Sequence, residues 1–522
     1  MADLKGELDW AVKLHKAGFV DEASEHYQQI LAVHPNHAET SYLLGIIKRE
    51  TGDLSSAVQH ISVGVLGMPN QDDAQHHLAL ALEALTQEQS AKYSQWLTEN
   101  LDACKTAEGT VSLIRVLRLV DLRNEAQIIA EGTFTRHQHN LEFIKQYGAL
   151  QSEFGRFEKS IAAYKEAYRA DPENLEVAVA YASILGRAER IDEALCLMLE
   201  ALQFALHETK TTIRRAVFTH LLECFFHLEQ PQKAVETFAD VVALYPSLTE
   251  GWTCLARAQF AIGNSEDAIE TVRRGLAEND SDIELRWLST FYELKPIYRS
   301  VKEIEIHRQH YRERLLKLAA DLKDADSDSR AKASGLSADI TSYFLPYQGG
   351  QDDKELQCLY GEMVAGLWQA SSSEASLASG KISNTRIHVM FLSEFVWRHT
   401  NWRMKRGWLK FLDRERFRVS CLHLGSRTDE MTWEIKEYAD AFYHIPNNIK
   451  NARELIREAK PDVIFYPEVG MSGIVQCLAS QRLAPVQCCG IGHPVTTGLP
   501  TMDYFVSGDL IEPECADEHY NE

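Results

Sequence analysis

A spacing of 34 residues recurs through the first half of this chain, and it constrains the fold more than any other feature. Pro35 and Pro69 stand 34 residues apart, as do Ala23 and Ala57, and Ala11 and Gly45. Ala79 and Ala91 continue the two rows of small residues. The pattern returns in Tyr147, Gly148, Tyr164 and Pro172, then in Ala234, Phe238 and Pro246, then in Trp252, Leu255, Ala256, Gly263 and Ala268. Two helices cross closely only where Gly or Ala sits between them. An aromatic side chain then fills the gap to the next unit. Proline ends the second helix, because it lacks an N–H and clashes with the preceding turn.

A unit of this length, with a small residue in each of two helices and a closing proline, is the signature of the tetratricopeptide repeat. About seven repeats fit within residues 1–285, with a degenerate stretch around 95–140. Such arrays stack into a superhelix whose concave face grips a peptide. The second residue of successive first helices is acidic: Glu39, Asp73, Glu142, Glu176 and Glu250. Acids suit a helix N-terminus. The same row would also form an acidic stripe that selects basic acceptor segments. The formal net charge is −22, which repels phosphate backbones and anionic lipid. Basic or neutral polypeptide is therefore the expected partner, and nucleic acid and membrane are not. No apolar run reaches the length of a membrane span, and MADLKGELDW is no secretory signal. The ten cysteines are scattered without a CxxC pair, as expected of reduced thiols in the cytoplasm.

Residues 286–370 keep a helical pattern and read as a bridge. His307 and His310 share one helical face. With no carboxylate partner in view, they read as a solvated face rather than a metal site. Asp324, Asp326 and Asp328 lack the glycine and glutamate of a calcium loop. Residues 371–384, rich in serine, read as a flexible linker. From residue 385 the period changes. Short apolar runs (RIHVMFL, FRVSCLHL, DAFYHI, DVIFY, PVQCCG) alternate with helical segments, which predicts an α/β lobe with a parallel sheet. Ligands bind beyond the carboxyl ends of such strands. The loops there carry Glu394, Arg398 and His399, then Glu468, then Gly492, His493, Pro494, Thr496, Thr497 and Gly498 in the GHPVTTG turn. There is no dinucleotide fingerprint, P-loop, nucleophile elbow or HExxH. The residues alone give an α/β ligand-binding half with histidines near its active edge, and they fix no reaction.

The run RLAPVQCCGIGHPVTTGLPTMDYFVS resembles the end of the N-terminal catalytic lobe in O-GlcNAc-transferase-like enzymes, which include Spindly-type and bacterial relatives. LSEFVWRHTNWRMKRGWLKFLDRERFRV resembles the first strand, loop and helix of that lobe, and SYFLPYQGGQDDKELQ the segment leading into it. The resemblance implies a GT-B glycosyltransferase, with residues 385–522 as its Rossmann-like N-terminal catalytic lobe. It implies a nucleotide sugar, UDP-linked, as co-substrate, with no metal and no other cofactor. The acceptors would be Ser or Thr side chains of polypeptides held by the repeats. His399 matches a histidine lining the transfer site. His493 stands in the turn that faces the donor, where relatives can carry a tyrosine. Glu394, Arg398, Glu468, Gly492, Pro494, Thr496, Thr497 and Gly498 would contact substrate or donor. The alternative for each histidine is a structural role.

Two departures stand out. The inner repeat positions where some relatives carry an asparagine ladder are Asp9, Leu43, His77, Gln146, Ala180, His220 and Cys254. The family's second, donor-binding lobe would begin about where this sequence reaches Glu522, so the chain alone is expected to be weakly active or inactive. The competing expectation is a non-catalytic tetratricopeptide scaffold that binds protein partners.

Overall fold

The computed structural model describes residues 2–120, 122–370 and 386–522. The linker expected over 371–384 lies outside them. The chain divides into two compact units, residues 1–230 and 231–522.

The first unit is built of helix pairs. Ala2–Lys16 packs with Val20–Val33, Ala38–Glu50 with Leu54–Gly67, Ala107–Leu119 with Arg123–His137, Leu141–Glu153 with Phe157–Ala170, and Leu175–Arg187 with Ile191–Ala205. The small residues stand at the crossings. A Cβ on Gly45 would lie 2.6 Å from the Ile61 side chain, and one on Gly148 would lie 2.3 Å from the Tyr164 ring. Ala11, Ala23 and Ala57 are fully buried, as are the aromatic Tyr27 and, nearly so, Tyr164. Pro35, Pro69 and Pro172 each follow a helix end by two residues.

Ala91 departs from its row. It is exposed, and Tyr93 and Leu97 turn inward instead. The cause is local. Asp53 caps the helix that holds Ala57, but Thr86 caps the next one with a capping box, one residue earlier in the repeat. One residue is about 100° of helix rotation, so Ala91 swings out. The helix Gln87–Glu99 packs on Leu54–Gly67 and Arg123–His137 rather than closely on the helix before it.

The second unit opens with the helices Pro231–Leu244, Thr249–Ala261 and Ser265–Glu278. Ile283–Phe291, Val301–Lys323, Ser327–Ser337 and Lys354–Ala370 follow, around a core that includes Trp287, Tyr311, Leu345 and Tyr360. The expected bridge is thus part of this unit's core. Trp287 Nε1 donates to the Ile340 carbonyl at 3.2 Å, and Arg257 pairs with Asp339 at 2.7 Å. Asp326 is the N-cap of Ser327–Ser337.

Six strands form the sheet: β1 Ile387–Ser393, β2 Phe417–His423, β3 Ala441–His444, β4 Val463–Tyr466, β5 Val486–Gly490 and β6 Tyr504–Val506. All pair in parallel, in the order β3-β2-β1-β4-β5-β6. The order reverses between β1 and β4, which opens a crevice at their carboxyl ends. Ile449–Ala459 and Gly473–Ala479 cover one face, around Met390, Leu392, Ile464 and Tyr466. Thr400–Phe411 and Glu430–Tyr438 cover the other, around Val389, Phe391 and Val419. β6 is three residues long with Tyr504 exposed, too short and too open to show as a strand in sequence. Among the described residues, no helix is long and apolar enough to cross a membrane.

Candidate functional site

Three loops leave β1, β4 and β5 at the crevice and lock together through backbone contacts. The Glu394 amide donates to Glu468 Oε1 at 2.7 Å, joining the first loop to the second. A Cβ on Gly492 would lie 2.0 Å from the Pro467 carbonyl and 2.8 Å from the Glu468 Cα, so only glycine lets the third loop close on the second. Gly498 has φ +63°, and a Cβ there would lie 2.2 Å from the Gln357 carbonyl. That position needs glycine on both counts.

His399 is the N-cap of Thr400–Phe411, and its Nδ1 accepts from the Asn401 amide at 3.3 Å. Its ring stacks on Phe395 at 4.7 Å and meets the edge of Trp397 at 5.1 Å. Among the described residues, no hydrogen bond engages its Nε2. Partial burial lowers its pKa, which keeps the imidazole neutral and able to accept a proton. Arg398 is exposed, and its amide donates to Asp429.

Asn401 links His399 to a buried polar cluster. Glu468 is fully buried, and desolvation pushes its carboxyl up to about 7, against the pull of Ser393, the Glu394 amide and the Lys405 charge. Lys405 is 1 % exposed, and burial lowers its pKa. It donates to Asn401 Oδ1 at 3.0 Å. The Ser393 hydroxyl accepts from the Trp402 indole at 2.9 Å and from the Phe395 amide at 3.0 Å. Burying an acid and a base together is costly. Such an arrangement at the end of a sheet is where proton chemistry is expected.

The GHPVTTG turn behaves differently from the first loop. His493 is 2 % exposed, and burial lowers its pKa to about 4. Its Nε2 donates to the Tyr343 carbonyl at 3.1 Å, and Tyr343 stacks on its ring at 5.3 Å, with Tyr347 beside it. Pro494 is exposed. Thr496 and Thr497 together hold one carboxylate, that of Glu522. The Thr496 hydroxyl donates at 2.7 Å, the Thr497 amide at 2.7 Å, and the Thr497 hydroxyl donates as well. The turn is therefore an anion cradle.

Sequence reasoning did not single out Lys405, Ser393, Asn401, Tyr343 or Tyr347. One signal existed for Lys405. It falls on the apolar stripe with Trp402 and Leu409 (positions i, i+3 and i+7), where a lysine is out of place.

The acidic repeat residues do not share one environment. Glu39 and Asp73 are exposed. Glu142 pairs with Arg115 and Lys145, and Glu176 with the same Lys145. Glu250, in the second unit, is 2 % exposed.

Comparison with known proteins supports the repeats. The family model described as "Tetratricopeptide repeat" matches residues 8–65 and 150–206. Three plant proteins, from Eustoma exaltatum subsp. russellianum, Oryza sativa subsp. japonica and Petunia hybrida, are each 37% identical over 68 residues. Each is named "Probable UDP-N-acetylglucosamine--peptide N-acetylglucosaminyltransferase SPINDLY". The match covers 12% of this chain and 7% of each relative. Among solved structures, a mutant of the Thermobaculum terrenum O-GlcNAc transferase aligns over 75% of this chain and 57% of its own, with 15% identity and a TM-score of 0.38. A MamA protein aligns over 38% of this chain and 98% of its own, with 16% identity and a TM-score of 0.27.

Proposed function

We propose that this chain provides the acceptor-side part of a protein glycosyltransferase of GT-B type. Its parallel lobe, with the strand order of a Rossmann-like sheet, would face a nucleotide sugar, UDP-linked, without metal or other cofactor. The repeats would hold a polypeptide in the cytoplasm and present its Ser or Thr. The observation that carries this reading is that the loop after β1 presents a neutral histidine with its Nε2 unengaged, while the loop after β5 presents the anion cradle of Thr496 and Thr497. A carboxylate and a phosphate accept from the same donors.

In this reading the acceptor hydroxyl oxygen attacks the anomeric carbon of the sugar. The bond from that carbon to the diphosphate breaks, and the nucleoside diphosphate leaves with the electron pair. The hydroxyl proton passes to a base, the role assigned here to His399. Glu394, Arg398, Glu468, Gly492 and Gly498 shape the loops around that reaction. His493 positions the turn, since its ring is buried and its Nε2 is engaged by Tyr343. The plant relatives, named for N-acetylglucosamine transfer to peptide, make that sugar the first to try.

The protein as the cell makes it should be mixed with UDP-N-acetylglucosamine, other nucleotide sugars and Ser/Thr peptides, and the peptides weighed by mass spectrometry. A mass gain of one sugar is expected. No gain with any donor would overturn the proposal. The scaffold reading draws on one finding, that the family model matches repeat residues alone. It expects peptide binding without transfer.

A further inference from the structure

His307 and His310 lie one turn apart on Val301–Lys323, and their reading as a solvated face rested on having no carboxylate partner in view. The fold supplies one. Glu293, two residues beyond the end of Ile283–Phe291, is 1 % exposed and lies against both rings. Its Oε2 is 2.6 Å from His307 Nδ1 and 3.4 Å from His310 Nδ1. Among the described residues, this is the group of three ligating side chains whose donor atoms all fall within 4.8 Å of one another.

We propose that Glu293, His307 and His310 form a zinc site. Two imidazole nitrogens and one carboxylate oxygen are a ligand set that suits Zn²⁺, and nitrogen donors disfavour Mg²⁺ and Ca²⁺. Bonds of about 2.0–2.2 Å to a tetrahedral ion place ligand atoms roughly 3.3 Å apart. The Glu293–His310 separation already has that value, and the Glu293–His307 separation would open by about 0.7 Å to reach it. The surroundings fit as well. Arg314 takes the other carboxylate oxygen, Oε1, at 2.8 Å, which fixes the carboxylate and leaves Oε2 to face the histidines. Glu303 Oε1 lies 3.8 Å from His307 Nε2, where it can orient the ring from behind, as carboxylates do behind zinc-bound histidines. Lys295 pairs with Glu303 and so balances its charge. The Arg314 charge opposes a cation and weakens the site. His310, whose side chain is 46% exposed, leaves the fourth position on the solvent side.

The ion would fasten the turn at Glu293 to the long helix Val301–Lys323. That turn also contains Tyr298, whose hydroxyl donates to the Glu293 carbonyl at 3.0 Å and accepts from Gln348 at 2.7 Å.

The test needs no transferase activity. The chain is stripped with a chelator and titrated with Zn²⁺ by calorimetry, and with Co²⁺ as a spectroscopic stand-in. The expected result is one Zn²⁺ equivalent that weakens at least about tenfold in His310→Ala. Tetrahedral cobalt bands should appear in the natural chain and be lost in the variant. His307→Gln should reproduce the loss should His310→Ala fail to fold, and the metal-free variant should melt as the metal-free natural chain does. The chain has 20 histidines, so only binding sensitive to these two positions counts. No binding, or equal binding in the variants, overturns the proposal.

Discussion

The repeats of the first unit and the sheet edge of the second handle charge in opposite ways. In the repeats, ionised groups stay at the surface and pair within their own helix or with the first helix of the next repeat. Lys145 bridges Glu142 and Glu176, and Arg118 reaches Gln146 and Glu153. At the sheet edge, Glu468 and Lys405 are both buried, and the loop holding Glu468 meets the loop that leads into the helix holding Lys405, with Glu394 and Glu468 74 residues apart in sequence. Surface pairs contribute little and can be exchanged freely. A buried carboxyl with a raised pKa is a standing cost, and a fold keeps it only where the surrounding backbone enforces it. In the function proposed above, the chemistry falls at the carboxyl ends of the strands and the partner surface in the repeats.

Glycine substitutions break the comparison most sharply. Gly498→Ala sets a Cβ 2.2 Å from the Gln357 carbonyl at a φ of +63°. It should cost about 3 kcal/mol or more and collapse the second unit's unfolding transition. Gly186→Ala in the first unit meets nothing within 4 Å. It should stabilise its helix by about 0.5–1 kcal/mol. Denaturant unfolding followed separately for the two units distinguishes them. Equal effects would erase the contrast.

The next test uses pH. Glu468 binds its proton more tightly folded, at about 7, than unfolded, near 4.5. Its contribution is therefore fully present below pH 4.5 and is lost as pH rises through 7. His493 works in the other direction. Its folded pKa is about 4 against an ordinary 6.5, so its contribution is present above 6.5 and lost as pH falls through 4. Glu468→Gln should flatten the fall on the alkaline side by up to about 3 kcal/mol. It should leave the acid limb in place. Parallel stability curves for the two proteins would show that Glu468 is not held as described.

Lys145→Ala should show the smallest effect, about 1 kcal/mol or less, shrinking further with added salt. A larger loss would mean that the repeat surface is organised by charge after all.

How much the sequence revealed follows the same division. The repeats were legible because each contact recurs at a fixed short spacing, so Gly45, Ala57, Tyr164 and Pro172 announce themselves by position. The exception, Ala91, failed because a cap moved by one residue, and a period says nothing about caps. Five strands were legible from their apolar runs, and β6 was not. The loops were placed correctly at the carboxyl ends of strands, and Glu468 was singled out there. Its burial, and the lysine opposite it, depend on pairing that only the folded chain creates. The same holds for Glu293, which lies 14 residues from His307 in sequence and against it in space, and for Tyr343, which covers His493 from 150 residues away.

The central claim is that His399 takes the acceptor proton while the structure around it stays intact. In the protein as the cell makes it, sugar transfer to peptide and thermal melting should be measured together for the natural sequence and for His399→Ala. The account predicts a fall in turnover of about 10²–10⁴-fold, far more than the loss of about 1 kcal/mol of stability expected from removing the His399 cap. Turnover that falls only in step with the folded fraction, or does not fall at all, would contradict it.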